Sequence, residues 1–455
     1  MSDVAQGRGD DARVTVVGGG LAGCECALRL ADAGVAVRLV EMRPTRMTEA
    51  HTGGDLAELV CSNSLKAVRH DSAAGLLKEE LDLLGCHLVS YARDVAVPAG
   101  GALAVDRALF SQRVGREVAA RPLISVERRE VHEIPRDGLT VIAAGPLCAG
   151  DLAADVERAV GGQRLSFYDA AAPIVDAASL DMGILFAQSR YERGEGADYL
   201  NAPLSREEYE AFVESLVAAD RVILRDFERR DLFQACQPVE EVARTGRDAL
   251  RFGALKPVGI QDPRTGRRPW AVVQLRAEDR ERKAYNLVGF QTNLTFPEQR
   301  RVFGMIPGLR DAEYFRYGVM HRNTFIDAPH ALDDTLALRA DRRVRFAGQI
   351  TGTEGYVEAM ATGRLCALGI LADLEGSGRL EPLPKETALG SLIAYATDPQ
   401  TQDYQPMHVN FGIVPALEVT GRIGKRDRYR LYADRALQAM AGWIDRNGAR
   451  VGIAQ

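Results

Sequence analysis

The sequence predicts an α/β fold: a doubly wound, Rossmann-like nucleotide-binding domain built from both ends of the chain and interrupted by an inserted α+β domain. Three observations lead there. A strand, a glycine turn, a helix and a second strand follow one another between Val14 and Glu41. Another strand, glycine-rich turn and long helix stand near residue 345. Between them, from about Gln163 to Asn323, aromatic, Arg and Pro residues become dense and short β-like runs replace the α/β alternation. A chain of 455 residues exceeds one simple core, which suits two domains or one domain with a large insertion. The expected limits are 11–165 and 326–455 for the two parts of the nucleotide domain, and 166–325 for the insertion.

Taken in order, Met1 to Arg13 is polar and lacks the apolar centre of a signal peptide, so it is expected to be a disordered tail. Val14–Val17 is an apolar strand running into Gly18-Gly19-Gly20-Leu21-Ala22-Gly23. A helix is expected from Leu21 to about Ala33, stopped by Gly34, then a strand over Val35–Val40 that ends at Glu41. Met42 to Ala67 has low periodicity and is expected to be loop with a short helix; it holds His51, Gly53, Gly54 and Cys61. Ala73–Leu84 is periodic and meets Gly85, predicting a helix, and Leu139–Ala144 has the pattern of a buried strand. Trp270–Leu275 and Tyr285–Phe290 are the clearest β runs of the insertion. Val344–Ala347, the turn at 348–355 and a helix over Tyr356–Asp373 then restore the α/β texture.

Bulk properties exclude several classes. The net charge of −6 argues against coating nucleic acid by overall electrostatics, yet basic residues cluster locally. Arg251–Lys283 carries nine Lys/Arg against four Asp/Glu, Arg422–Arg430 five against one, and Arg339–Arg345 four against one. Such clusters suit a phosphate backbone, and Arg225, Arg229 and Arg230 could extend one of them. No apolar run reaches membrane-spanning length, so no membrane is expected and the cytoplasm is the expected location. The seven cysteines are scattered without a CxxC pair, so neither a metal site nor a disulfide framework is expected.

Gly18, Gly20 and Gly23 form G-x-G-x-x-G. The first glycine permits the tight turn, the second lets the backbone approach a pyrophosphate, and the third lets helix and strand pack closely. The pyrophosphate then meets free N–H groups at the positive end of the helix. Glu41, at the end of the second strand, stands where an acid can bind a ribose hydroxyl. The motif serves FAD and NAD alike. An N-terminal fingerprint on a long interrupted chain, with a late strand–turn–helix returning to the sheet, matches flavoproteins of the glutathione-reductase type by fold analogy, and FAD is the expected cofactor.

The strings VVGGGLAGCECA, LVEMRP, ELVCSNSLK, QPVEE after Cys236, VGFQTNLT, GQITGTEGYVEAMATG and HVNFGIVPALE span Val16 to Glu418. In these strings the chain resembles the TrmFO family, the folate- and FAD-dependent tRNA (uracil-C5)-methyltransferases. The resemblance implies transfer of a methylene group from methylenetetrahydrofolate to C5 of a T-loop uridine in tRNA, with electrons from reduced FAD and NADPH or NADH as the reductant. It departs from relatives in a dozen or so extra N-terminal residues and in Thr353.

Such chemistry requires a cysteine thiolate that adds to uracil C6, since C5 alone is a poor nucleophile. By resemblance, Cys236 is the candidate nucleophile and Cys61 a flavin-proximal thiol assisting proton or methylene transfer. His321 stands where the family stacks a ring on the folate pterin. The cofactor residues implied are Gly18, Gly19, Gly20, Leu21, Ala22, Gly23, Glu41 and Arg43, with Gln349, Gly352, Gly355 and Tyr356 at the flavin end. No protein partner is implied. The same C5 chemistry on ribosomal RNA, and a small-molecule NAD(P)H-dependent flavin oxidoreductase, stay open as alternatives at this point.

Overall fold

The computed structural model describes residues 14–162, 165–190, 197–222, 237–376, 379–418 and 423–453. The expected tail at 1–13 lies outside them, as do Arg225, Arg229, Arg230, Cys236 and Arg422. Val14–Val17 is buried at every position because it is the middle strand of a five-stranded parallel sheet covered on both faces. The strand order is Val344–Phe346, Leu139–Ile142, Val14–Val17, Val37–Glu41 and Ile124–Arg128. In this register the carboxyl ends of the strands, at Val17, Glu41 and Ile142, come out on one edge, where open α/β sheets bind their ligands.

The helix Leu21–Asp32 packs against the helix Tyr356–Glu375, which is buried without interruption from Val357 to Ala372. Small residues bring the two backbones together: a Cβ placed on Gly363 would lie 2.1 Å from the Ala22 carbonyl oxygen. The short helix expected between Met42 and Ala67 is absent. That segment turns repeatedly, then forms the strand Ser64–Ala67 paired antiparallel with Ala102–Val105. Side chains take up its backbone groups and remove the need for helical bonds. Glu58 accepts from the Thr52 N–H at 2.8 Å, and Arg128 donates to the carbonyls of Arg43 and Gly54, both at 2.8 Å.

Residues between Ala172 and Ala312 build a second hydrophobic core, separate from the one shared by residues 14–156 and 325–453. Its sheet has six antiparallel strands in the order Phe186–Ala187, Tyr199–Leu204, Ala271–Ala277, Ala284–Leu287, Ile174–Asp176 and Tyr314–Arg316. Phe212, Phe290 and Phe303 fill the space beneath, the last two edge to face at 5.2 Å. The chain enters this unit along Leu165–Ala170 and leaves along Met320–Phe325, and these two strands pair with each other. Among the described residues no helix is long and apolar enough to cross a membrane.

Candidate active site

The glycine turn forms the floor of a cleft of about 1120 Å³ at the carboxyl edge of the parallel sheet. Gly18 has φ +108°, and a Cβ on it would lie 2.2 Å from the Ala143 carbonyl oxygen, so only glycine fits. A Cβ on Gly23 would lie 1.9 Å from the Gly18 oxygen, which explains the close helix–turn packing. At Gly20 a Cβ would meet nothing within 4 Å, so this backbone faces the open cleft. The helix that begins at Leu21 has no side-chain cap and no acid in its first turn, leaving its positive end free for an anion. Bare backbone, an uncapped helix and a carboxylate on the wall make a cradle that fits FAD.

That carboxylate is Glu41. One oxygen accepts the Gly19 N–H at 2.7 Å; the other accepts the N–H and Nε of Arg43, both at 2.9 Å. Burial works against its charge, but the Arg43 bond, the Arg43 field and the backbone donors outweigh burial and hold the carboxyl below its ordinary range. Arg43 itself is buried, pairs with Glu58 at 2.8 Å and so braces the wall as well as lining the cleft.

The first cleft shares Val60, Gln349 and Tyr356 with a second one of about 820 Å³, which holds Cys61. Tyr356 joins the two: its hydroxyl accepts the N–H groups of Cys61 at 2.8 Å and Ser62 at 3.2 Å. Three arginines fix the cysteine segment from outside. Arg107 donates to the carbonyls of Leu59 and Cys61, Arg316 to the carbonyl of Val60, and Arg276 to Ser62 Oγ at 2.7 Å and Asn63 Oδ1 at 2.8 Å. Arg276 and Arg316 come from the inserted sheet, so the segment that carries Cys61 is held from both sheets. Burial, then the negative field of Asp169, pushes the Cys61 thiol up to about 12 despite Arg107 and Arg316, so the thiol rests protonated.

The second cleft also contains polar groups that motif reading missed. Glu354 bonds to Gln349, and burial followed by the field of Asp169 raises its carboxyl to about 8. Among the described residues, Asn323 Oδ1 and Glu358 Oε2 are buried there without a hydrogen-bond partner, two acceptors available to a polar ligand. Glu354 and Glu358 were within reach of sequence reasoning because they sit in the quoted GTEGYVEAM string. Asp169, Asn323 and the three arginines carry no local motif at all.

Other expected residues divide. Leu21, Ala22 and Gln349 line the first cleft and Gly355 the second. Gly352 reaches neither: its φ is +81° and a Cβ would lie 2.5 Å from the Tyr404 hydroxyl, so its requirement for glycine comes from packing under that ring. His321 lies on the returning strand directly opposite Asp169. Cys24, Cys26, Cys86, Cys148 and Cys366 are buried, as packing residues should be. In the Arg339–Arg345 cluster three of the four arginines are taken up by ion pairs within the protein. Arg342 pairs with Asp333, Arg343 with Asp341 at 2.7 Å, and the wholly buried Arg345 with Asp373 at 2.5 Å. Arg267 and Arg268 of the longer cluster are exposed.

The family model described as glucose inhibited division protein A matches residues 13–378. A Geobacter sulfurreducens protein described as methylenetetrahydrofolate--tRNA-(uracil-5-)-methyltransferase TrmFO is 53% identical, over 95% of this chain and 98% of its own. A Symbiobacterium thermophilum protein of the same description is 51% identical over 94% and 96%. Among solved structures, Aquifex aeolicus GidA superposes with a TM-score of 0.70 at 15% identity, covering 98% of this chain and 74% of that one, which supports the Rossmann-like fold. With half its residues matching across nearly its whole length, the chain belongs to the TrmFO family.

Proposed function

We propose that this protein methylates C5 of a T-loop uridine in tRNA, taking the carbon from methylenetetrahydrofolate and reducing it with FAD. The observation that supports the reading is the joining of the two clefts at Tyr356, with Cys61 in the cleft that adjoins the dinucleotide cradle. FAD, when bound, supplies the electrons that convert methylene to methyl, and NADPH or NADH renews them.

The residues then divide the work. Gly18 to Gly23 and Glu41, with Arg43 behind it, hold the dinucleotide; Gln349, Gly355 and Tyr356 flank its reactive end. Cys236 adds its thiolate to uracil C6, making C5 nucleophilic. His321 stacks on the folate pterin. Cys61, a protonated thiol locked by backbone bonds, holds a proton at the reacting carbon, and the neighbouring carboxyls of Asp169 and Glu354 relay the proton leaving C5. The insertion at 166–325 serves as the substrate side, the exposed Arg267 and Arg268 meet RNA phosphates, and the protein works in the cytoplasm.

The test is direct. The yellow holoenzyme is incubated with methylenetetrahydrofolate, NADPH and an unmodified tRNA transcript, beside Cys236→Ala, and 5-methyluridine is read by mass spectrometry. Folate-dependent product that disappears in the variant is expected. Product on ribosomal RNA alone would overturn the choice of substrate, and a yellow protein without product on either RNA would overturn the chemistry.

A further inference from the structure

Three rings form a continuous ladder on the inserted domain. Tyr314 and Tyr317 stack with centroids 4.7 Å apart and planes 12° apart; Tyr317 and Phe296 stack at 4.7 Å and 17°. Phe296 ends the ladder with 49% of its surface exposed, and with Tyr317, Arg300 and Arg301 it lines an open groove of about 630 Å³. Arg300 donates to the Tyr317 hydroxyl at 2.8 Å, while Arg301, also exposed, pairs with Glu298 at 2.6 Å.

The ladder is braced by hydrogen bonds, and its strand reaches the Cys61 segment. Buried Gln299 ties its two halves together, accepting the Gly318 N–H and donating to the carbonyls of Gly318 and Leu294, each at 2.8 Å. The strand that carries Tyr314 also carries Arg316, which grips Val60 next to Cys61. The described residues on either side of the Cys236 segment are both anchored just before Phe296: the Val222 N–H on the Asn293 carbonyl at 2.8 Å, and the Val239 N–H on the Gln291 carbonyl at 2.7 Å.

A half-exposed ring backed by two more, flanked by guanidinium groups, is what an unpaired base and its phosphates require. Stacking on aromatic faces and Arg is the general means of holding splayed-out RNA bases. Accordingly, we propose that Phe296, Tyr317 and Tyr314 form a stacking platform for an unpaired RNA base near the target uridine, with Arg300 and Arg301 meeting the adjacent phosphates. The inference rests on the RNA-methylating reading above.

The test uses FAD-loaded full-length protein carrying Phe296→Ala, Phe296→Leu or Phe296→Trp, with affinity for an unmodified tRNA transcript measured by fluorescence anisotropy. Flavin reduction by NADPH serves as the check on an intact enzyme. Ala and Leu are expected to weaken RNA binding on the order of tenfold, the size of one lost base stack, while Trp retains it and flavin reduction is unchanged throughout. Leu keeps the apolar bulk without the π-face, so a Leu variant that binds RNA as the parent does would overturn the platform and leave the RNA reading intact. A parent protein that binds no RNA would overturn both.

Discussion

Gly20→Ala separates holding the cofactor from holding the fold. Gly20 has φ −78° and ψ −167°, a conformation open to any residue, and a Cβ there meets nothing within 4 Å. Alanine therefore introduces no strain, and by restricting the unfolded chain it should leave apoprotein stability unchanged or raise it by about 0.4–1 kcal/mol. The new methyl projects into the cleft at the point where a pyrophosphate must approach the backbone. Losing one hydrogen bond to a charged phosphate is worth about 1.5–3 kcal/mol, or roughly ten- to a hundredfold in FAD affinity. Gly18→Ala should do the opposite. At φ +108°, with a Cβ 2.2 Å from the Ala143 oxygen, it strains the turn itself and should cost the apoprotein on the order of 3 kcal/mol. The assay is a thermal melt of the stripped protein followed by FAD titration. A Gly20→Ala protein that melts normally and binds FAD as tightly as the parent would refute the placement of the pyrophosphate over this turn.

Cys61→Ala should fold and bind FAD normally, since the substitution keeps the backbone bonds and, among the described residues, removes a long 3.7 Å sulfur contact to the Ala170 carbonyl, yet lose methyl transfer at least about a hundredfold in a single-turnover assay. Tyr356→Phe removes the shared acceptor of two N–H groups; a stability loss of about 1–3 kcal/mol in denaturant titration is expected, together with slower methylation. For Glu354 the sign follows from a folded pKa raised to about 8 from 4.5, by burial and then Asp169. The folded chain keeps a proton that the unfolded chain has released, so stability falls as pH rises from the ordinary carboxyl range to about 8 and levels off above. Glu354→Gln imitates the protonated form and should flatten that slope in melts taken across this range; an unchanged slope would assign it to another group.

The nucleotide half of the fold was legible because its signals are local. Val14–Val17, the glycine turn and Glu41 lie within one βαβ unit, where Gly18 and Gly23 have nearby steric reasons and Gly20 faces the open cleft. The segment from Met42 to Ala67 was misread because its backbone is satisfied by Glu58 and Arg128, side chains whose reach no periodicity reveals. The basic clusters are heterogeneous for a related reason: composition counts charges, but Arg345 is wholly buried against Asp373 while Arg267 and Arg268 are exposed. Gly352, expected at the flavin end by resemblance, has a second reason to be glycine that no local string reveals, the packing of Tyr404, fifty-two positions away in sequence.

The reaction cleft was the least legible part because no single stretch of chain contains it. The cysteine segment belongs to the nucleotide domain, and two of the three arginines that fix it belong to the insertion. Glu278, also from the insertion, pairs with Arg107, the third. These contacts fix carbonyls and side chains of residues 59–63, so the position of Cys61 depends on how the two sheets dock. The dinucleotide cradle has no such dependence, because the residues that line it all lie outside 166–325. The lining of the cradle is thus a property of one part of the chain, and the placing of Cys61 in the adjoining cleft is a property of both. A motif can announce the first. The second is encoded in Arg276, Arg316 and Glu278, whose role becomes visible only when the inserted sheet is seen against Val60 to Asn63.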